Sequence, residues 1–301
     1  MALDEADLAL LEELRGDGRA SYERLGSLVG LSRTAARARV HRMLESGSVR
    51  VEAVAHPGVY GYFTFSHVSV TLDGASAQTV AASIARMDHA PLVSIVAGRA
   101  SLIAELRTRD LGEMEHAIDG IRAIDGVVAL DVVLYTDVVK DSHLPLGGPH
   151  SFEEFHIDDT DRRILDLLMD DARMPYADLA ADIGLSRAAT RARVLRLLRD
   201  GVVVVKGMVN PTAVGINQMC GFEVTMSDVS EDVTGVVANL DAVDFLARTI
   251  GRCDLIGTLI ARGRSDVREA LDEVRALEGV RRVEAWWHLE LVKERYSPRT
   301  P

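Results

Sequence analysis

The stretch GLSRTAARARV, residues 30–40, holds three arginines and no acid, in a chain of 301 residues whose formal net charge is −12. It returns as GLSRAATRARV at residues 184–194, 154 positions later. Extending that offset both ways sets Leu3–Gly61 on Ile157–Gly215 without a gap, with 24 identities in 59 positions. They include Asp4/Asp158, Asp7/Asp161, Leu11/Leu165, Tyr22/Tyr176, Gly30/Gly184, Gly47/Gly201 and Pro57/Pro211. Beyond them the match weakens but the layout persists. Gly98-Arg99 falls opposite Gly251-Arg252, and Gly126-Val127 opposite Gly279-Val280. Repetition over this length marks a duplication. The chain reads as domains over 1–56 and 57–139, a linker over 140–156, then domains over 157–210 and 211–301. The linker's Pro-Leu-Gly-Gly-Pro core discourages helix and strand alike.

In the first unit, Asp4 is placed to cap a helix whose apolar stripe includes Leu8, Leu11 and Leu14. Gly16-Asp17-Gly18 ends it, and Ser21 caps a short second helix to Leu28. Gly30 turns the chain, Ser32 caps a third helix to about Ser46, and Gly47 stops it. Residues 49–54, VRVEAV, read as a strand pair or wing. Helix, short helix, glycine turn and helix is a helix-turn-helix layout. The second domain of the unit reads strand, helix, strand, strand, helix, strand, with a hairpin closed at Gly98-Arg99-Ala100. The fold class expected is therefore α+β: a tandem repeat of a winged helix-turn-helix plus a ferredoxin-like βαββαβ domain, in two copies. A lone sheet of this kind buries one face under its helices. The apolarity of FTFSHVSV, FLARTI and EAWWHLEL says that the other face meets a partner sheet. A linker of about 15 residues reaches up to ~50 Å extended, so pairing within the chain and pairing between chains both stay open.

On a helical wheel, Ala36, Val40 and Met43 cluster toward the core. Thr34, Ala38, His41 and Arg42 lie opposite, flanked by Arg33, Arg37 and Arg39. In the second copy the outward residues are Ala188, Ala192, Leu195 and Arg196, flanked by Arg187, Arg191 and Arg193. Small residues let a helix enter a groove, and the cations find phosphates or guanine edges. Residues 30–50 hold five cations and one acid, or +4, and residues 184–206 hold six and one, or +5. Residues 3–56 as a whole come to −1 and residues 157–210 to 0, so the acidity lies elsewhere and the third helices are local cationic faces. A solvated helix face is the plain alternative, and two copies on equivalent helices argue against it. Arg39 and Arg193 lie on the flank nearest the first helix, where Asp7 and Asp161 favour intramolecular ion pairs over DNA contact.

With 27% charged and 48% apolar residues, the composition is that of a globular protein. No apolar run reaches membrane-spanning length. The acidic start MALDEADLALLEEL is no signal peptide, and Cys220 and Cys253 suit a reducing cytoplasm. Arginine outnumbers lysine 31 to 3, which reflects either its phosphate fork or codon usage in a GC-rich genome. The positions of the arginines, rather than their number, carry weight. No Walker loop, HExxH, GxSxG or paired CxxC motif is present, so neither catalytic residues, nor a metal site, nor a cofactor is expected.

The Asp-x-x-Asp start, the Gly-Leu-Ser turn, the arginine seven residues after that serine (Arg39 and Arg193) and the closing glycine, twice in order, resemble the leucine-responsive/asparagine-responsive (Lrp/AsnC) transcriptional regulators. The resemblance implies a cytoplasmic, sequence-specific regulator that binds double-stranded DNA, takes a small-molecule effector such as an amino acid, and self-associates into dimers or larger discs. It implies DNA contacts from Ser32, Arg33, Thr34, Arg37, His41 and Arg42, and from Ser186, Arg187, Arg191 and Arg196. Tyr22 and Tyr176 are phosphate donors or half-buried packing residues. The family's effector hairpin corresponds to Gly98, Arg99, Ala100 and Ser101 and to Gly251, Arg252, Cys253 and Asp254. Only the second copy keeps the aspartate, and Val132 and Ala285 stand where the family tends to place a threonine. Gly98 and Gly251 also read as plain hairpin glycines, and Cys253 as an ordinary thiol. Trp286 and Trp287 point to opposite sheet faces, one to a pocket or interface and the other under the helices. Two rival readings share the plan. One is a tandem tetrapyrrole (siroheme-type) decarboxylase, which needs histidines and arginines converging in a pocket, whereas the nine histidines here are scattered in sequence. The other is a ligand-sensing assembly protein that no longer binds DNA.

Overall fold

A computed structural model describes residues 3–142, 144, 155–227 and 231–295. Residues 145–154 of the expected linker lie outside the described residues. Helix α1 (Glu5–Gly16) is capped by Asp4, and Asp7 completes a capping box by accepting from the Asp4 amide. Helices α2 (Tyr22–Leu28) and α3 (Arg33–Glu45) follow, then strand β1 (Val49–Ala55). The second copy repeats these as α6 (Asp159–Asp170), α7 (Tyr176–Ile183), α8 (Arg187–Arg199) and β6 (Val203–Val209). Gly30 and Gly184 sit at φ +68° and +70° between the second and third helices, a left-handed turn that costs a glycine little.

The expected wing takes a different form. Each unit supplies a single strand, and β1 pairs antiparallel with β6 of the other unit, from Val49 opposite Val209 to Ala55 opposite Val203. Residues 49–55 alternate too few polar positions to leave a hairpin edge in water: Val49, Ala53, Val54 and Ala55 are buried. Ala53, Ala55 and Val59 complete the apolar core of the second helical unit, and Val209 and Val214 pack onto the core of the first. Each helix-turn-helix is thus finished by the strand of the other.

The remaining elements are β2 (Thr64–Leu72), α4 (Ala77–Ala85), β3 (Leu92–Ala97), β4 (Leu102–Thr108), α5 (Leu111–Arg122) and β5 (Val127–Asp141). Their copies are β7 (Gln218–Met226), α9 (Glu231–Asn239), β8 (Val243–Ile250), β9 (Leu255–Ala261), α10 (Arg264–Ala276) and β10 (Val280–Glu294). Within each unit the strand order, β3-β4-β2-β5 or β8-β9-β7-β10, is ferredoxin-like. The two sheets do more than face one another. They join at β5–β8 and at β10–β3 into one closed antiparallel barrel of eight strands. Closure removes every open edge of both sheets. The units therefore pair within one chain. The outer faces pack on helices through Val68, Val70, Leu102 and Leu106 in the first copy and Phe222, Val224, Leu255 and Leu259 in the second. The inner faces surround a partly polar lumen. Strand β5 continues as far as Asp141, so the first two residues of the expected linker are strand, and Leu144 is buried beyond it.

Candidate nucleic-acid interface and barrel cavity

The third helices are held by their own caps. The Ser32 hydroxyl accepts from the Ala35 amide and the Ser186 hydroxyl from the Ala189 amide, each at 3.2 Å. Ala36, Val40 and Met43 are fully buried, as are Thr190, Val194 and Leu197. Burying each of the larger aliphatic side chains contributes roughly 1.5–3 kcal/mol and fixes the helix roll. That roll leaves Ser32, Arg33, Thr34, Arg37, Ala38 and His41 exposed on one helix. On the other it exposes Ser186, Arg187, Ala188, Arg191, Ala192 and Leu195.

The arginines divide into two sets. Arg39 donates to Asp4 at 2.7 Å and to Asp7 at 2.8 Å, and Arg193 donates to Asp158 at 2.7 Å and Asp161 at 2.9 Å. Asp7 and Asp161 are buried, so these pairs tie the third helix to the first. The Arg39 hydrogen bond holds the Asp4 carboxyl below its ordinary pKa. The Asp161 amide, then Arg193, does the same for Asp158. Arg196 also turns inward, donating to Asp161 at 2.5 Å, whereas Arg42 stays half-exposed at 3.6 Å from Asp7. Among the described residues, no carboxylate pairs with Arg33, Arg37, Arg187 or Arg191.

The two helical units are bolted together by a reciprocal pair. Arg19 donates to the carbonyls of Ala172 and Met174 at 2.6 and 2.7 Å, with its guanidinium 4.9 Å over the Tyr176 ring. Arg173 donates to the carbonyls of Gly18 and Ala20 at 2.6 and 3.0 Å, 4.9 Å over Tyr22. Both tyrosine rings are therefore half-buried cation platforms in this arrangement.

In the barrel, the two hairpin turns meet at one carboxylate. Arg99 and Arg252 both pair with Asp131, at 3.1 and 2.7 Å, and Arg252 also reaches Glu223 at 2.5 Å. Ser69, Arg99, Glu223, Arg252, Glu284 and Trp286 line a cavity of about 210 Å³, with Ala100 also on its wall. Gly251 sits at φ +147° in its turn, and a Cβ at Gly98 would meet the Trp286 Cβ at 2.7 Å. Asp254 accepts from the Met226 amide at 2.6 Å, and Ser101 does so from the Leu72 amide at 3.4 Å, so both residues pin their hairpin to the neighbouring strand. Cys253 is buried, and its thiol is pushed up to about 11 by that burial, which disfavours thiolate chemistry.

Trp286 lines the lumen, while Trp287 packs among the core residues under α9 and α10. The histidines that look scattered in sequence do not stay so. His67 and His288 line a second, smaller space in the barrel with Glu105, Tyr135, Asp244 and Trp286. Burial pushes His67 down to about 3 and His288 down to about 4, so both are neutral. The buried His67 Nε2, His288 Nε2, Arg252 Nε and Trp286 Nε1 have no protein partner among the described residues. Sequence reasoning misses Ser69, Asp131, Glu223 and the lumen histidines. The available signal is the polar half of the alternation in β2, where His67 and Ser69 alternate with the core residues Val68 and Val70.

Three family models match this chain. The AsnC-type helix-turn-helix domain covers residues 3–44, the Lrp/AsnC ligand binding domain residues 65–145, and a winged helix-turn-helix DNA-binding model residues 157–204. A protein of Pyrococcus abyssi, named as an uncharacterized HTH-type transcriptional regulator, is 30% identical over 129 residues, 40% of this chain and 82% of that one. The chain belongs to the Lrp/AsnC family. The HTH-type transcriptional regulator LysM of Sulfurisphaera tokodaii is 24% identical over 124 residues, covering 41% of this chain and 89% of LysM. Such relatives span less than half of this Lrp/AsnC chain because it holds their unit twice. The siroheme decarboxylase NirDL superposes over 97% of this chain and 93% of its own at a TM-score of 0.67 and 13% identity. That likeness is one of fold, and it extends over both copies.

Proposed function

We propose that this chain is a sequence-specific DNA-binding transcriptional regulator whose barrel senses a small molecule. The observation that carries the reading is the division of the arginines on α3 and α8. Arg39 and Arg193 are spent on Asp4, Asp7, Asp158 and Asp161, whereas Arg33, Arg37, Arg187 and Arg191 stand exposed without carboxylate partners. A folding role accounts for the first set. Cations held clear of an acidic body suit a polyanion. Arg33, Thr34, Arg37, His41 and Arg42 in one copy, and Arg187, Arg191 and the partly engaged Arg196 in the other, are the proposed contacts. Ser32 and Ser186 hold the helix starts beside the phosphates. The effector, an amino acid or related metabolite, enters the cavity at Arg99, Ala100 and Arg252, and self-association into dimers or larger rings follows the family pattern. Arg37→Ala with Arg191→Ala is expected to weaken operator binding about a hundredfold or more. The salt dependence should flatten, and the melting temperature should not change. Gel-shift titration across salt concentrations checks this, and unchanged affinity in the double variant refutes the assignment.

A second reading rests on the lumen, where His67, His288 and Arg252 converge in a fold shared with a siroheme decarboxylase. An absorbance change on adding an iron porphyrin, in a protein whose DNA affinity is negligible, selects that reading over the first.

A further inference from the structure

We infer that one chain alone reads one non-palindromic DNA site, in a single orientation, with the two third helices preferring different half-sites. This rests on the DNA-binding reading above. The two helical units are related by a local twofold axis and fixed on it. The β1–β6 ladder is centred where Glu52 lies opposite Lys206, its own counterpart in the duplication. Pairing of two first units from separate chains would set Glu52 against Glu52, and pairing of two second units Lys206 against Lys206. Like charges directly opposite destabilise a strand pair, so the charge pattern favours the union of unlike units within the chain. The Arg19 and Arg173 clamps and the exchanged core strands then hold the helices in one relative position.

The faces presented on that fixed frame differ. Arg33, Arg37 and Ala38 are matched by Arg187, Arg191 and Ala192, so both helices carry the same cationic frame. Around those shared residues stand three substitutions: Thr34 becomes Ala188, His41 becomes Leu195 and Glu45 becomes Arg199. Arg42 and Arg196 are the same residue, but Arg196 approaches its aspartate more closely, at 2.5 Å against 3.6 Å. Leu195 keeps 40% of its surface exposed on the face of α8 that also carries Arg187, Arg191 and Ala192. Its methyls fit the C5-methyl of thymine, the one apolar feature of the major groove. The His41 imidazole has a donor and an acceptor and fits a base edge instead, most readily the acceptors of a purine. The partner is therefore duplex DNA whose half-sites share the arginine contacts but differ at the base pair facing position 41 or 195, with a thymine in the second.

Selection of bound duplexes from a random library with the full chain tests this, followed by selection with Leu195→His and with His41→Leu. His41 is exposed and Leu195 partly so, so the melting temperatures of the variants should stay within about 2–4 °C of the parent. The expected parent consensus is asymmetric. Leu195→His should shift the base pair preferred at position 195 toward the one that faces His41 in the first half-site, with the other contacts of α8 unchanged. His41→Leu should do the reverse, with about tenfold weaker binding to the original site. A palindromic consensus from the parent chain overturns the inference, as does an asymmetric one that ignores both substitutions. If no sequence is enriched, the DNA-binding reading itself falls, an outcome separable from the other two.

Discussion

Arg37 and Arg39 are two residues apart on α3 and meet opposite fates. A turn of about 200° on the helix takes one to water and the other to Asp4 and Asp7. That split is legible in the sequence, because helical spacing places Arg39 on the flank of the first helix and the Asp4/Asp7 pair recurs with it in the second copy. The lumen is not legible in the same way. His67 faces Val133 across β2–β5, while its counterpart Gly221 faces Trp286 across β7–β10. The two copies fill one volume with opposite assignments of large and small side chain. A Cβ at Gly221 would collide with the Trp286 indole. Gly221→Ala should therefore lower stability by about 1–3 kcal/mol, and adding Trp286→Val should recover much of it, a non-additivity measurable by denaturant unfolding of the two single variants and the double. Nothing in the local spacing of either residue announces this pairing, since they lie 65 positions apart in sequence.

Among the elements, the helices form where their caps and apolar stripes place them. The Ser32 and Ser186 caps, the Gly30 and Gly184 turns and the Asp4 and Asp158 capping boxes are all local signals. The strand after each third helix is local too, but its partner is not, and the expectation of a self-contained wing gives way to a ladder between units. Arg19 and Arg173 are part of the same union. Each makes two hydrogen bonds to carbonyls and one ring contact across the interface. Charged hydrogen bonds contribute about 1.5–3 kcal/mol each, with partial loss to solvent at this half-exposed site. Arg19→Ala or Arg173→Ala should each cost about 2 kcal/mol in unfolding free energy, on that same scale. The double variant should also loosen the relative placement of the two third helices, read as weaker operator binding although neither arginine belongs to the proposed DNA face.

For the molecule as a single body, the closed barrel buries groups that titrate freely in the unfolded chain. Unfolded histidine titrates near 6.5, whereas burial holds folded His67 down to about 3 and His288 to about 4. Between those values the unfolded chain binds more protons than the folded one, so stability rises with pH and drains away as pH falls from about 7 toward 4. Asp4 and Asp158, held below the ordinary carboxylate range, add a loss in the same direction at still lower pH. Melting temperatures should fall steadily as pH is lowered from about 7 to about 4, and His67→Phe should flatten the slope across that window.

The duplication, the order and type of nearly every element, the cationic third helices and the internal pairing of Arg39 and Arg193 are all written in the chain. Each of these comes from periodicity, caps and charges within one or two turns of chain, or from the 154-residue repeat. Three-dimensional assembly alone settles that β1 and β6 join the two units, that both sheets close into one barrel, that His67, His288, Glu223, Arg252 and Trp286 share its interior, and that Asp131 meets both hairpin arginines. Those facts depend on which strand edges meet. A strand's hydrogen-bonding edge looks the same in sequence whatever it pairs with, so partner choice is settled by closure and by the volumes to be filled inside.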